Sequence, residues 1–258
     1  MRIVCIIQAR MDSSRLPGKV MEDIAGRPML AHVVARAAAI EGVEDVIVAT
    51  TGAHEDSAIV DLARSIGVGA FAGSTDDVLD RYYQAAREFK ADGVVRITAD
   101  CPLIDPIESA RVVARFAKGD LDYATNLVPP TFPDGQDTEV VSFEALEKIW
   151  DIATLPSDRE HVITYIRTNP HLFKVHNVTC DPDLSQLRLT VDEPDDLVFV
   201  RKIFSALGPE AEGEFISMHD VIGFLRDNPE IAAMHPDHDR NEGWTTSIVT
   251  DREPEEQS

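Results

Sequence analysis

Cysteine is scarce in this chain: Cys5, Cys101 and Cys180 stand far apart, and none falls in a CxxC spacing. An odd set of scattered thiols suits a reducing compartment better than a disulfide framework. Positive charge is scarce too. Lys and Arg total 24 against 46 Asp and Glu, a formal net charge of −22. Such a surface repels nucleic-acid backbones and anionic membranes, which argues against both as partners. No apolar run approaches the roughly 20 residues that a bilayer span needs. The first seven residues lack the long apolar core and small-residue cleavage site of a secretory signal. Together these absences point to the cytoplasm. What is present is ordinary: 44% hydrophobic and 27% charged over 258 residues, enough for one substantial core.

The order of patterns along the chain predicts a parallel α/β sheet. Residues 1–7, 46–49 and 94–97 read as buried strands, and 68–71 as a short one. Helices are expected over 28–40, with Leu30, Val33, Val34 and Ala37 on one face, and over 56–66, 75–89 and 106–117. This strand–helix alternation is the signature of βαβ units. The second half is looser. Residues 123–137, rich in Pro, Gly and Asn, read as a long loop near the site. Strands are expected at 139–141 and 187–191 and an edge strand at 173–179, with helices over 143–152, 159–167, 194–207 and 218–226. From Asn228 the chain turns polar, and it reads as a domain over 1–227 followed by a mobile tail over 228–258.

The first strand runs into Gln8-Ala9-Arg10-Met11-Asp12-Ser13-Ser14-Arg15-Leu16-Pro17-Gly18-Lys19. Three cations within ten residues stand out in so acidic a chain. Ligands of open α/β sheets bind outside the carboxyl ends of the strands, and this loop leaves such an end. Arg offers phosphate a planar fork and Lys a mobile point charge, so the loop reads as a polyanion site. It is neither a Walker A nor a GxGxxG turn.

Two aspartates follow other strands. Asp100 comes just after 94–97 and Asp192 just after 187–191. Two carboxylates facing a triphosphate are what an octahedral Mg²⁺ needs. Asp105, before Pro106, reads as a helix N-cap. Asp192 reads equally well as a cap or as a ligand, whereas Asp100 has no obvious helix to cap.

These segments resemble the cytidylyltransferase superfamily that includes the KDO and acylneuraminate cytidylyltransferases, and most of all its SpsF spore coat polysaccharide branch. The resemblance is carried by Gln8-Ala9-Arg10 through Arg15-Leu16-Pro17-Gly18-Lys19 and by Arg96-Ile97-Thr98-Ala99-Asp100-Cys101-Pro102-Leu103-Ile104-Asp105. Arg159-Glu160-His161-Val162, Leu189-Thr190-Val191-Asp192 and Asn241-Glu242-Gly243-Trp244 add to it. It implies a GT-A-like fold and transfer of CMP from CTP to a sugar acid or related acceptor, with release of pyrophosphate, for surface polysaccharide or glycan synthesis. It further implies that Gln8, Ala9, Arg10, Gly73, Ser74 and Thr98 cradle the nucleotide and that Arg15 and Lys19 meet its phosphates. Asp100 and Asp192 would hold Mg²⁺. Lys19, Arg15 and Asp100 are thus the expected catalytic groups. Gln136, Glu139, Arg159 and His161 are expected around the acceptor, and a homodimer is expected from related enzymes. Gly73 and Ser74 have a second reading as part of a helix cap, since Ser74 and Asp77 have capping-box spacing. Two rival readings are a GT-A glycosyltransferase, weakened because Asp100-Cys101-Pro102 lacks the second Asp of a DxD motif, and a non-catalytic nucleotide-binding protein.

Overall fold

The computed structural model describes residues 1–208, 213–240 and 242–252. Its first strand, β1 (Ile3–Gln8), is apolar and buried from Ile3 to Ile7 because both of its faces are covered. Ile3, Cys5 and Ile7 enter one core, while Val4 and Ile6 enter the other, as a strand inside a parallel sheet requires. A small hairpin of β2 (Asp23–Ile24) and β3 (Arg27–Pro28) follows, leading into α1 (Met29–Ala38). The alternation then runs β4 (Asp45–Thr51), α2 (Ser57–Ser65), β5 (Gly69–Gly73), α3 (Val78–Glu88), β6 (Gly93–Thr98) and α4 (Pro106–Phe116). In α1, Leu30, Val33, Val34 and Ala37 are all buried, as their spacing predicts.

The remaining elements are β7 (Tyr123–Thr125), β8 (Glu139–Ser142), α5 (Phe143–Ile152), α6 (Pro156–His161), α7 (Thr164–Thr168) and β9 (Val175–Asn177). After them come α8 (Pro194–Leu207), α9 (Met218–Asp227), α10 (Pro229–Ala232) and α11 (Glu242–Arg252). The main sheet has the order β5-β4-β1-β6-β8-β7-β9. Pairings are parallel except for those of β8 with β6 and β7. The carboxyl ends of β5, β4, β1 and β6 therefore share one edge, and the chain reverses beyond β6. Helices α1, α2, α4, α8 and α9 cover one face, and α3, α5 and α7 cover the other.

The structure departs from the sequence expectations in four places. The segment 123–137 opens with strand β7, too short for an alternating pattern to show. Residues 187–191 are not a strand: Arg188 makes one isolated bridge with Asp134. The segment is held by loop carbonyls, with Leu189 N–H on Asp134 O at 2.7 Å and Val191 N–H on Asp100 O at 2.8 Å. The single helix expected over 159–167 is two, broken at Val162, whose φ of 62° no α-helix accommodates. The polar tail is not irregular throughout where it is described: it carries α10 and α11, and α11 contacts α6. Its last residues, 253–258, lie outside the described residues.

Candidate active site

The loop leaving β1 is folded back on itself. Ala9 N–H bonds Ala49 O at 3.0 Å, Met11 N–H bonds the Asp56 carboxylate at 2.7 Å, and Gly18 N–H returns to Met11 O at 2.8 Å. Gly18 has φ 74°, a left-handed turn that favours glycine, and this turn aims the next residue inward. Lys19 is consequently buried, although the loop around it is largely exposed. Its Nζ donates to Asp100 Oδ2 at 2.9 Å, Asp192 Oδ1 at 2.8 Å and Val191 O at 2.9 Å. Burial pulls the ammonium's pKa down, but the two carboxylates outweigh it and hold the group above its usual range. Burial would likewise raise Asp100. The Lys19 charge and the Thr98 hydroxyl, 2.5 Å away, instead bring it to about 2.

Asp192 is not the cap of α8. That helix starts on a reciprocal capping box between Glu193 and Asp196, which leaves the Asp192 carboxylate to Lys19, to Arg15 at 2.9 Å and to Arg188 at 3.1 Å. Arg188 is itself buried and also pairs with Asp134 at 3.0 Å and Asp196 at 2.8 Å. Asp105 does cap α4, accepting from Ile107 and Glu108 N–H, and it bonds Met218 N–H at 2.8 Å as well.

A second line of charges runs beside the first. Arg96, in the middle of apolar β6, pairs with Glu139 at 2.6 Å and donates to Gln8 Oε1 at 3.2 Å. Glu139 also accepts from Arg167 at 2.8 Å and from the Tyr123 hydroxyl. Burial would raise Glu139, but the two guanidiniums outweigh it and hold the carboxylate at about 2. Nearby, burial and the Asp137 carboxylate push Asp134 up to about 7, against the pull of Arg240 and Arg188.

The two lines flank a polar cleft of about 150 Å³ at the carboxyl edge of the sheet. Of the residues singled out from the sequence, Arg15, Thr98, Asp100, Asp192, Glu139 and His161 line it, and Lys19 lies beneath the two aspartates. Ala9 is buried and Arg10 is exposed on the loop. Gly73 and Ser74 sit at the end of β5, outside this lining. Ser74 O accepts from Arg81 at 2.9 Å, and the N-cap of α3 is Asp77. Gln136 is buried and committed to Leu103 O at 2.7 Å and Asp105 N–H at 2.8 Å, so its side chain ties loops together. Arg159 clamps Asp77 and Trp150 O, joining α6 to α3 rather than facing the cleft. Burial holds His161 below the usual histidine range, and its Nε2 is 2.9 Å from Ser247 Oγ.

The cytidylyltransferase family profile matches residues 4–227. The chain belongs to the cytidylyltransferase family. Among its relatives, an uncharacterized protein of Methanocaldococcus jannaschii is 38% identical over 90% of this chain and 93% of its own. The spore coat polysaccharide biosynthesis protein SpsF of Bacillus subtilis is 31% identical over 89% and 96%. A 3-deoxy-manno-octulosonate cytidylyltransferase of Anaeromyxobacter is 37% identical over 54% and 57%. The solved structure of a cytidylyltransferase from Leptospira borgpetersenii superposes with a TM-score of 0.86 at 33% identity, over 93% of this chain and all of that one. The mostly parallel α/β sheet is thus the family's fold.

Several residues at the cleft of this cytidylyltransferase were given no site role by the sequence: Arg96 and Trp244, which it shows only within the resembling blocks, Arg167 and Asp134, and Arg188, which pairs with Asp134. Arg96 left a signal, since a charge inside the apolar run Val94-Val95-Arg96-Ile97 must find a partner if buried. Arg188 left a weaker one between Leu187 and Leu189. The others show only in three dimensions.

Proposed function

We propose that this cytidylyltransferase moves CMP from CTP to a sugar acid, releasing pyrophosphate, and that its product feeds polysaccharide synthesis. The observation that carries the reading is the convergence of Asp100 and Asp192 on the one Lys19 ammonium, at the floor of an open cleft beside Arg15. The resemblance to the SpsF protein and to a 3-deoxy-manno-octulosonate cytidylyltransferase supports the acceptor class.

The two aspartates fit a Mg²⁺ ion. They offer hard carboxylate oxygens, already gathered around a cation, and Asp100 stays ionised at any pH near neutrality. Asp100 and Asp192 would hold the ion, which when bound supplies charge neutralisation at the phosphates. The chain's own groups do the rest. Lys19 and Arg15 present fixed positive charge to the β- and γ-phosphates, and Gln8, Ala9 and Arg10 line the way to the base and ribose. An acceptor hydroxyl oxygen attacks the α-phosphorus in line and gives up its proton to solvent, while the bond to the bridging oxygen breaks and pyrophosphate leaves. Asp100, with its pKa so low, is a poor base and serves as a ligand. Catalysis then rests on positioning and electrostatics rather than on a protein nucleophile. The scattered thiols fit a cytoplasmic enzyme, and a homodimer is the assembly we expect.

The test is pyrophosphate release with each of the four NTPs and a panel of sugar acids and sugar phosphates, with Mg²⁺ and with EDTA. Metal-dependent release with CTP and one acceptor class is expected. Saturable CTP binding without release under any pairing would overturn the reading in favour of a non-catalytic nucleotide-binding protein.

A further inference from the structure

The family profile ends at residue 227, yet the chain beyond it lines the cleft with Asp239, Glu242, Gly243 and Trp244. This segment is held at successive points by polar contacts to the cleft walls. Arg240 pairs with Asp137 and donates to Phe132 O at 2.8 Å. Glu242 pairs with Arg15 at 3.2 Å. Trp244 Nε1 donates to Thr164 Oγ1 at 3.0 Å, and Ser247 Oγ meets His161 at 2.9 Å. The strap therefore touches both lines of charge: Glu242 reaches the Lys19 line through Arg15, and Trp244 reaches the Glu139 line through Arg167, whose guanidinium lies 5.9 Å from the ring centroid.

The sheet order says which half of the site this strap closes. β5 and β4 lie on one side of β1, and β6, β8 and β7 lie on the other. The nucleotide candidates Gly73 and Ser74 stand at the β5 end. Two of the strap's contacts lead to the opposite side: Arg240 meets Asp137, just before β8, and Trp244 lies beside Arg167, which bonds Glu139 at the start of β8. Trp244 is only half-buried, with its indole N–H tied down at one edge. A fixed, flat apolar ring in a mostly polar cleft is suited to the C–H face of a sugar ring.

Resting on the CMP-transfer reading above, we propose that Trp244 is a specificity-determining residue of the acceptor side, carried into the site by a C-terminal strap that lies beyond the stretch the family profile matches. The sugar acid that gives turnover in the panel is the probe. In full-length Trp244→Ala the KM for that sugar acid is expected to rise roughly tenfold, with the KM for CTP within about twofold of wild type. Trp244→Phe, which keeps the flat face and loses the N–H, is expected to recover most of the loss. An unchanged acceptor KM in Trp244→Ala, or equal rises for acceptor and CTP, overturns the proposal while leaving the CMP-transfer reading intact. If Trp244→Ala loses its far-UV circular dichroism, Trp244→Leu takes its place under the same criteria. Absence of turnover in the wild-type enzyme with every acceptor overturns the CMP-transfer reading itself, and this inference with it.

Discussion

At the scale of single residues, Lys19 both serves the proposed chemistry and holds two carboxylates that would otherwise repel each other. Its side chain is 10% exposed, and those of Asp100 and Asp192 about a fifth. A purely catalytic residue would be removable with little effect on folding. The geometry adds a cost, because taking away the cation leaves an unpaired carboxylate pair in a partly desolvated site. Lys19→Ala is therefore expected to lower pyrophosphate release at least about a thousandfold and to cost about 2–3 kcal/mol of stability, read from urea unfolding. Near-wild-type turnover would remove Lys19 from the mechanism. Wild-type stability would show that the aspartates relax apart or take up a proton. Lys19 was visible in the sequence because it closes the basic loop that leaves the first strand, and Asp100 because it follows a buried strand pattern. The partner of Arg96 was not, since Glu139 is distant in the chain and meets it only across the β6–β8 pairing.

At the scale of elements, the clearest local signals are those in which a helix begins. Asp105 before Pro106 is a cap in the sequence and a cap in the structure, and its second oxygen reaches Met218 N–H, joining the start of α4 to the start of α9. Asp105→Ala is expected to cost about 2 kcal/mol, the upper end of the range for a lost N-cap, and to leave the KM values for CTP and acceptor unchanged. Chemical denaturation and steady-state kinetics check the two halves, and a large change in KM would mean that α4 positions the cleft more tightly than its contacts indicate. Breaks inside elements were less legible. Val162 interrupts what the spacing reads as one helix, and nothing in its residue type announces a positive φ. Helix α11 was hidden for a different reason: its anchors are ion pairs and hydrogen bonds to remote residues, which leave no apolar stripe.

At the scale of the whole molecule, the net charge of −22 is the feature least explained by the site. Carboxylates are paired where the cleft concentrates charge, as at Lys19, Arg188 and Arg96, so the surplus is spread over the surface. Surface repulsion at this density is screened by salt, whereas the buried pairs are screened much less. Raising NaCl from 50 to 500 mM is expected to raise Tm on the order of 2–4 °C, about 1 kcal/mol for a chain of this size. A fall in Tm would show that exposed pairs such as Arg2 with Asp45 stabilise more than the excess charge destabilises.

The amino-acid sequence by itself determined the parallel first half of the sheet, the basic loop and the two aspartates. Those features are written in local periodicity and in the residues that follow each strand, and local sterics and solvation suffice to specify them. Only the tertiary structure decided the rest. It released Asp192 from capping duty, spent Gln136 and Arg159 on joining elements, and brought Asp239, Glu242, Gly243 and Trp244 to a cleft whose lining begins at Arg15. Those outcomes depend on which distant charges meet in a desolvated place. Electrostatic pairing there is set by through-space distance and burial, quantities that separation along the chain does not encode.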